Sequence, residues 1–226
     1  MRVGLGLSAV CLAVLLSAGC GSSSSKSTAQ LRLFLAENGM PNVNVVADGT
    51  TLATNLGYGS ASNYLTVNSG SVHLQLVPVG GGSPVVDQMV SINASAHETL
   101  VLAGASGGSQ ALALTDGGTT ASTGNGYVRV VNAAASMTAA DIYIVPPGTQ
   151  LTTATATNIG FGQDTNYELT PLGNYEVFFT SPGTTSALLA TGPLNLGGGG
   201  TASINQTVIA YDAIGGGFNY IMLADQ

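Results

Sequence analysis

Charge is what this chain has least of. Only 7% of its 226 residues are Asp, Glu, Lys or Arg, against roughly 25% in ordinary soluble domains. Lysine and arginine number 4 against 11 acids, for a formal charge of −7. So few cations cannot neutralise a run of phosphates, which excludes nucleic-acid binding. Tryptophan is absent, and there are only 2 cysteines and 2 histidines. A protein-ligated transition-metal centre therefore has almost no material, and no cofactor is expected. Disorder needs low hydrophobicity and high charge; this chain is 45% apolar. Its length suits one large domain or two of about a hundred residues, each able to bury a core.

The first residues carry an address. Met1-Arg2 supplies a positive charge, and Val3 to Ala18 is apolar or small, ending in Leu15-Leu16-Ser17-Ala18-Gly19-Cys20. That is the pattern of a secretory signal peptide, shorter than the roughly 20 residues that span a bilayer. Cys20 after Ser17-Ala18-Gly19 resembles the bacterial lipobox. The resemblance implies cleavage between Gly19 and Cys20, a signal peptide over 1–19, and a lipoprotein whose Cys20 carries palmitate-type acyl chains as membrane anchor. Residues 20–29 include Gly21-Ser22-Ser23-Ser24-Ser25-Lys26-Ser27-Thr28, a flexible tether. Eight such residues reach roughly 15 Å, at about 5–6 Å times the square root of their number. The residue after the cysteine is Gly21, not aspartate, so the expected place in the cell envelope is the outer membrane. Cys11 leaves with the signal and Cys20 is acylated, so no disulfide is expected.

Beyond the tether the chain repeats itself. Asn55-Leu56-Gly57-Tyr58-Gly59, followed after three residues by Asn63-Tyr64, returns as Asn158-Ile159-Gly160-Phe161-Gly162 with Asn166-Tyr167, 103 residues later. Leu31-Arg32-Leu33 matches Val128-Arg129-Val130 at an offset of 97. The copies are placed at 30–116 and 127–226, joined by a Gly/Thr/Ser linker over 117–126. Within each copy the apolar period is two. Leu31, Leu33 and Leu35 alternate with Arg32 and Phe34; Val72, Leu74 and Leu76 alternate with Ser71, His73 and Gln75. Asp48-Gly49 is a hairpin turn between two such runs. About seven short strands per copy and no convincing amphipathic helix predict an all-β chain of two tandem antiparallel immunoglobulin-like β-sandwich domains. A small barrel is the alternative. The linker, without proline or charge, predicts two separately folding sandwiches with a small, mainly polar interface.

Val128-Arg129-Val130-Val131-Asn132-Ala133, Asp141-Ile142-Tyr143 and Ile159-Gly160-Phe161-Gly162 with Asn166-Tyr167 resemble the bacterial domain of unknown function 4397. That family shows an R-V-x-N/H-A opening, a D-V-Y strand and turns like Y-G-x3-Y and P-A-G, often in tandem. Leu112-Ala113-Leu114-Thr115-Asp116 is similar to the join between its copies. Copy one departs, with Asn42-Val43-Asn44 in place of D-V-Y and Asn68-Ser69-Gly70 in place of P-A-G. The resemblance implies an extracellular β-sandwich and no established catalytic residues.

Little in the chain speaks of chemistry. The repeated Tyr58 and Phe161, flanked by Gly57/Gly59 and Gly160/Gly162, are expected to plug one end of each sandwich; on loop tips they would instead stack on sugars. Tyr64 and Tyr167 are expected at the rim, their hydroxyls tied to backbone. His73 lies on the polar phase of its strand, and His97-Glu98 opens another. Asp164-x-Asn166-x-Glu168 has alternating oxygen ligands but lacks the glycine and downstream acid of a calcium loop, and no metal site is assigned. Gly104-Ala105-Ser106-Gly107-Gly108 lacks the strand-to-helix setting of a nucleophile elbow. Edge strands are short of the charged residues that normally block pairing. The expectation is a non-catalytic, lipid-anchored envelope module for structure or interaction, its partner an envelope protein or polysaccharide. A carbohydrate- or polymer-binding module using Tyr58, Phe161 and Tyr211 is the alternative, and a secreted hydrolase a third.

Overall fold

The computed structural model describes residues 27–104, 110–117, 121–197 and 205–226. The expected signal peptide, Gly19, Cys20 and most of the expected tether lie outside the described residues, as do Ala105, Ser106, Gly107 and Gly108.

Every regular element among the described residues is a strand. The first half holds β1 (Thr28–Glu37), β2 (Val43–Ala47), β3 (Thr50–Leu56), β4 (Leu65–Asn68), β5 (Gly70–Pro78), β6 (Val86–Ile92), β7 (His97–Gly104) and β8 (Gln110–Asp116). They form two sheets, in the orders β4-β1-β7-β8 and β3-β2-β5-β6. The second half holds β9 (Asn125–Asn132), β10 (Ala139–Val145), β11 (Ala156–Gly160), β12 (Gln163–Pro171), β13 (Gly173–Thr180), β14 (Ala187–Ala190), β15 (Leu194–Leu196), β16 (Asn205–Asp212) and β17 (Phe218–Asp225). Its sheets run β12-β9-β16-β17 and β11-β10-β13-β14, with β15 added on β13. The two halves thus share one strand order, and none of the described sheets closes into a barrel. The two-sandwich architecture expected from the sequence is present.

The antiparallel expectation is corrected at one pairing in each sandwich, because β1 and β7 run parallel, as do β9 and β16. Between β1 and β7 the chain crosses to the other sheet and back twice, with β4 pairing on β1 at the first return, and such a long connection permits parallel neighbours. The immunoglobulin likeness lies in two facing sheets; here the first two strands fall in opposite sheets. Asp48 and Gly49 both have positive φ, 49° and 78°, the two-residue turn that matches the twist of a hairpin.

Each sandwich closes its own core. Leu31, Leu33, Leu35, Val43, Val45, Leu74, Leu76 and Leu102 pack together in the first. Val128, Val130, Ile142, Val177, Phe179 and Val208 do so in the second. Outer strands such as β6 alternate between half-buried and exposed positions until their last residue. The inner strands do not. From Arg32 to Glu37 in β1, and from Glu98 to Gly104 in β7, every residue is buried. A strand buried on both faces needs a second layer against its other side, and that layer is the other sandwich.

Phe34, Ala36, Val101, Ala103, Leu112 and Leu114 from the first inner sheet meet Val131, Ala133, Ile209, Tyr211 and Leu223 from the second, forming a third apolar core. The small, polar interface expected from the linker is therefore corrected. Phe34 and Arg32, which alternate with the leucines of β1, face the other sandwich and not water. Nor is the described part of the linker a free coil. Ala121 is buried, Asn125 donates its N–H to the Ser122 carbonyl at 3.0 Å, and the Gly124 carbonyl accepts from Leu172 at 2.9 Å. Residues 118–120 lie outside the described residues.

Candidate functional site

The repeated motif residues have mainly conformational work. Asn55 and Asn158 sit at φ 58° and 57°, and Gly59 and Gly162 at 71° and 77°. Asparagine and glycine are the residues that tolerate this left-handed region. The Asn55 N–H donates to Asn44 Oδ1 at 3.1 Å, and the Asn158 N–H to Asp141 Oδ1 at 2.8 Å. Strand register pairs Val45 with Leu76 and Ile142 with Phe179. Asn44-Val45-Val46, not Asn42-Val43-Asn44, is therefore the counterpart of Asp141-Ile142-Tyr143, and Asn44 does the accepting that Asp141 does. Gly57 is needed for space, since a Cβ there would stand 2.9 Å from Asn42 Oδ1.

Tyr58 and Phe161 do not cap the ends of the sandwiches. Both pack against the core between them. The Tyr58 ring meets Tyr211 edge-on at 5.6 Å between centroids, and Phe34 meets the same Tyr211 at 5.2 Å. Tyr211 is only 6% exposed. The three aromatics considered as a sugar platform are thus turned into the interface, which leaves that alternative without its contact residues.

At the edge of the same interface lies the one dense polar cluster of the described residues, and sequence reasoning missed it as a unit. Arg32 and Arg129 are the only lysine or arginine residues after Lys26, and both are buried. Arg32 Nη2 lies 2.5 Å from Asp225 Oδ1 in the other sandwich and 3.4 Å from Asp116 Oδ2 in its own. Arg129 Nη2 lies 2.5 Å from Asp116 Oδ1. The shortest ion pairs are therefore crossed, each arginine reaching the aspartate of the opposite half.

The remaining donors and acceptors obey the same two-fold relation. Arg32 Nε donates to Thr99 Oγ1 at 2.9 Å, and Arg129 Nε to Thr207 Oγ1 at 3.1 Å. Thr99 donates in turn to Asp116, and Thr207 to Asp225. The Tyr64 hydroxyl donates to Asp116 Oδ2 at 2.8 Å and the Tyr167 hydroxyl to Asp225 Oδ2 at 2.7 Å. Each guanidinium lies 4.6 Å above its tyrosine ring, a favourable cation–π geometry. Arg32 Nη1 donates to the Ala224 carbonyl and Arg129 Nη1 to the Thr115 carbonyl, at 2.8 and 2.9 Å. Tyr64 and Tyr167 thus bind carboxylates; the Tyr167 hydroxyl also accepts from the Gly117 N–H at 3.4 Å, so the expectation of backbone-held hydroxyls is met in part at Tyr167 and corrected at Tyr64.

Two buried cations facing two buried anions leave no net charge, and each charged group is hydrogen-bonded, the condition under which burying charge is tolerable. A signal for the cluster was present. Arg32 and Arg129 lie 97 apart, Tyr64 and Tyr167 103, Thr99 and Thr207 108, and Asp116 and Asp225 109. The last two pairs sit in strands without a conspicuous shared motif, so only the pairing of β7 with β1 and β16 with β9 reveals that they belong together.

Burial first, then the neighbouring Asp116, pushes the Tyr64 hydroxyl far above its ordinary 10.0. Burial likewise raises Tyr167; Arg129 opposes the rise and Asp225 adds to it. A native tyrosine that keeps its proton while the unfolded one loses it stabilises the fold fully below the unfolded pKa. That stability is lost as pH climbs toward the native pKa. Unfolding free energy is therefore expected to fall from about pH 10 upward, more gently in a Tyr64→Phe/Tyr167→Phe double variant. Urea titrations between pH 8 and 11.5 check this, and equal slopes in the two proteins would contradict it.

The other candidate groups stand apart. His73 Nε2 lies 2.6 Å from Asp87 on an exposed strand face, and Asp87 is held below its ordinary range by hydrogen bonds from His73 and then Gln75. His97 packs edge-on to Tyr64 at 5.3 Å; strand register makes Asn205 its counterpart. Asp164 accepts from the Asn166 N–H at 2.6 Å within the β12 bulge. No group of three or more His, Cys, Asp or Glu converges among the described residues. Two open clefts flank the interface, about 570 Å³ beside Arg32 and Tyr64 and about 420 Å³ beside Arg129 and Tyr167.

The family model described as "Domain of unknown function (DUF4397)" matches residues 29–143, just over half of the chain. The chain belongs to this family. The DUF4397 match runs from β1 through the Asp141-Ile142-Tyr143 strand, and so takes in the whole first sandwich and the opening strands of the second. It includes Arg32, Tyr64, Thr99, Asp116 and Arg129 of the buried cluster. No curated protein matches the chain.

Proposed function

We propose that this protein is a lipid-anchored, non-catalytic module of the bacterial cell envelope, built from two tandem copies of the DUF4397 domain and serving as spacer and interaction surface. Support for the duplication is the shared strand order of the two halves and the Arg-Tyr-Thr-Asp set that each contributes. Support for the anchor is the apolar run to Ser17-Ala18-Gly19-Cys20 with the serine-rich segment after it.

The observation that carries the non-catalytic reading is how the polar side chains are employed. Catalytic acids and bases stand in a cleft with capacity left for a substrate. Here Asp116, Asp225, Arg32 and Arg129 are consumed by one another and by Thr99, Thr207, Tyr64 and Tyr167. After them the described surface carries acids and neutral polar groups but no lysine or arginine, which leaves it anionic. Such a surface stays soluble by self-repulsion and does not adhere to polyanions.

Cys20→Ala is the decisive variant for the anchor. Expressed in bacteria, the parent chain is expected to sediment with membranes and the variant to appear in the soluble fraction. If the variant sediments as fully as the parent, Cys20 is not the anchor. A panel of ester and glycoside substrates on the soluble chain tests the other half of the proposal, which turnover of any of them would end.

A further inference from the structure

The interface between the sandwiches has the logic of a symmetric dimer enclosed in one chain. In a two-fold interface the same patch appears on both partners, and residue i of one meets residue j of the other in both directions. Arg32 meets Asp225 and Arg129 meets Asp116, and the residues of each pair are counterparts of those in the other. The apolar positions correspond as well. Phe34 and Val131 are counterparts, as are Ala36 and Ala133, Val101 and Ile209, and Leu114 and Leu223, and all eight lie in the shared core.

We propose that the same interface also forms between chains, the inner sheet of the first sandwich of one copy receiving the inner sheet of the second sandwich of another, and reciprocally. The occupant is a second copy of this chain, and the product is a closed two-chain assembly with the Arg32–Asp225 and Arg129–Asp116 pairs made across chains. Each chain then keeps every contact it makes alone: the Phe34–Tyr58–Tyr211 aromatic cluster, both crossed ion pairs and both cation–π stacks. The balance between the forms is set by the effective concentration of one sandwich near the other within a chain, on the order of millimolar for closely tethered modules. Pairing of first with second sandwich, and not like with like, is favoured because only that combination seats Phe34 and Tyr58 on Tyr211. Crowding of chains on a membrane would raise the two-chain population. That consequence rests on the anchoring proposed above, whereas the pairing itself does not and is measured in solution.

The test uses the chain from Ser27 to Gln226, which contains both sandwiches whole. It is concentrated to about millimolar, warmed to the foot of its melting transition, cooled, and sized by light scattering and native mass spectrometry. A dimer is expected whose fraction grows with concentration during the cycle, and joint cycling of light and ¹⁵N-labelled chains is expected to give mixed dimers. A chain that stays monomeric to several millimolar overturns the proposal. A second variant lacks Gly118, Thr119 and Thr120, so that Gly117 and Ala121 share one peptide bond and lie 3.8 Å apart. It is expected to be dimeric at micromolar concentration; a micromolar monomer with parental stability counts against the proposal. Hydrogen exchange identifies the contact. Reciprocal pairing leaves the protection of β1, β8, β9 and β17 the same in monomer and dimer. New protection at the outer edges β6 or β14 would mean that chains associate by strand addition instead, and the proposal falls.

Discussion

Asp116→Ala is expected to destabilise the protein by about 3–5 kcal/mol, the cost of stripping one partner from a buried ion pair. Asp116 is the shared acceptor of the cluster. It takes the Arg129 guanidinium at 2.5 Å, Arg32 at 3.4 Å, the Tyr64 hydroxyl at 2.8 Å and the Thr99 hydroxyl. Its side chain has no solvent exposure, so water cannot replace what is removed, and the interface is left with two cations against one anion. At about 2–4 °C per kcal/mol for a fold of this size, the melting temperature should drop by roughly 10 °C. Asp116→Asn keeps the shape and some of the hydrogen bonds but not the charge, and should fall between parent and alanine variant. The cost does not mean that the intact pairs contribute the same amount, because desolvation offsets much of their attraction. Pairing Asp116→Ala with Arg129→Met should recover part of the loss, since it removes the cation as well as the anion. A double-mutant cycle by urea denaturation measures the coupling, and strict additivity would contradict the shared-acceptor description.

Phe34→Ala is expected to cost about 3–5 kcal/mol, the range for emptying a large aromatic site in a core. Phe34 is 0% exposed, yet belongs to neither sandwich core; it packs between the two against Tyr211. The variant is therefore expected to change the form of unfolding as well as its midpoint. With the interface intact, the sandwiches should unfold in one transition, because neither inner sheet can expose its apolar face without cost. With Phe34 removed, the coupling weakens and two transitions should separate in urea, followed by circular dichroism and by tyrosine fluorescence. Two separate transitions already in the parent, left unchanged by Phe34→Ala, would mean that the interface contributes little and that the sandwiches are independent, as the linker composition alone suggested.

The features legible in the sequence were those encoded locally. The Asn-Leu-Gly-Tyr-Gly repeat marked the strand plan shared by the two halves, because asparagine and glycine serve a backbone conformation that lies within the motif itself. Alternation in β5, and the Asp48-Gly49 turn, identified strands because a half-buried strand displays its period in its own residues. The family resemblance rested on such segments too; the match over residues 29–143 bears out the family in a single copy, taking in Val128–Ala133 and Asp141–Tyr143 but not the 159–167 segment.

The role of the alternate residues in β1 was legible only in part. Leu31, Leu33 and Leu35 declared one face apolar, but Arg32 and Phe34 on the other face are an ordinary outward pair unless something covers them. Arg32 needs Asp225, nearly the whole chain away, and Phe34 needs Tyr211. Hydrophobic period, turn chemistry and composition determined by themselves that this chain makes two β-sandwiches with little charge to spare. Only the tertiary structure decided that the two are pressed together. The physical reason is that a buried charge is tolerable only where its counter-charge and hydrogen-bond partners converge on it, and that convergence is a property of packed sheets and not of any single segment.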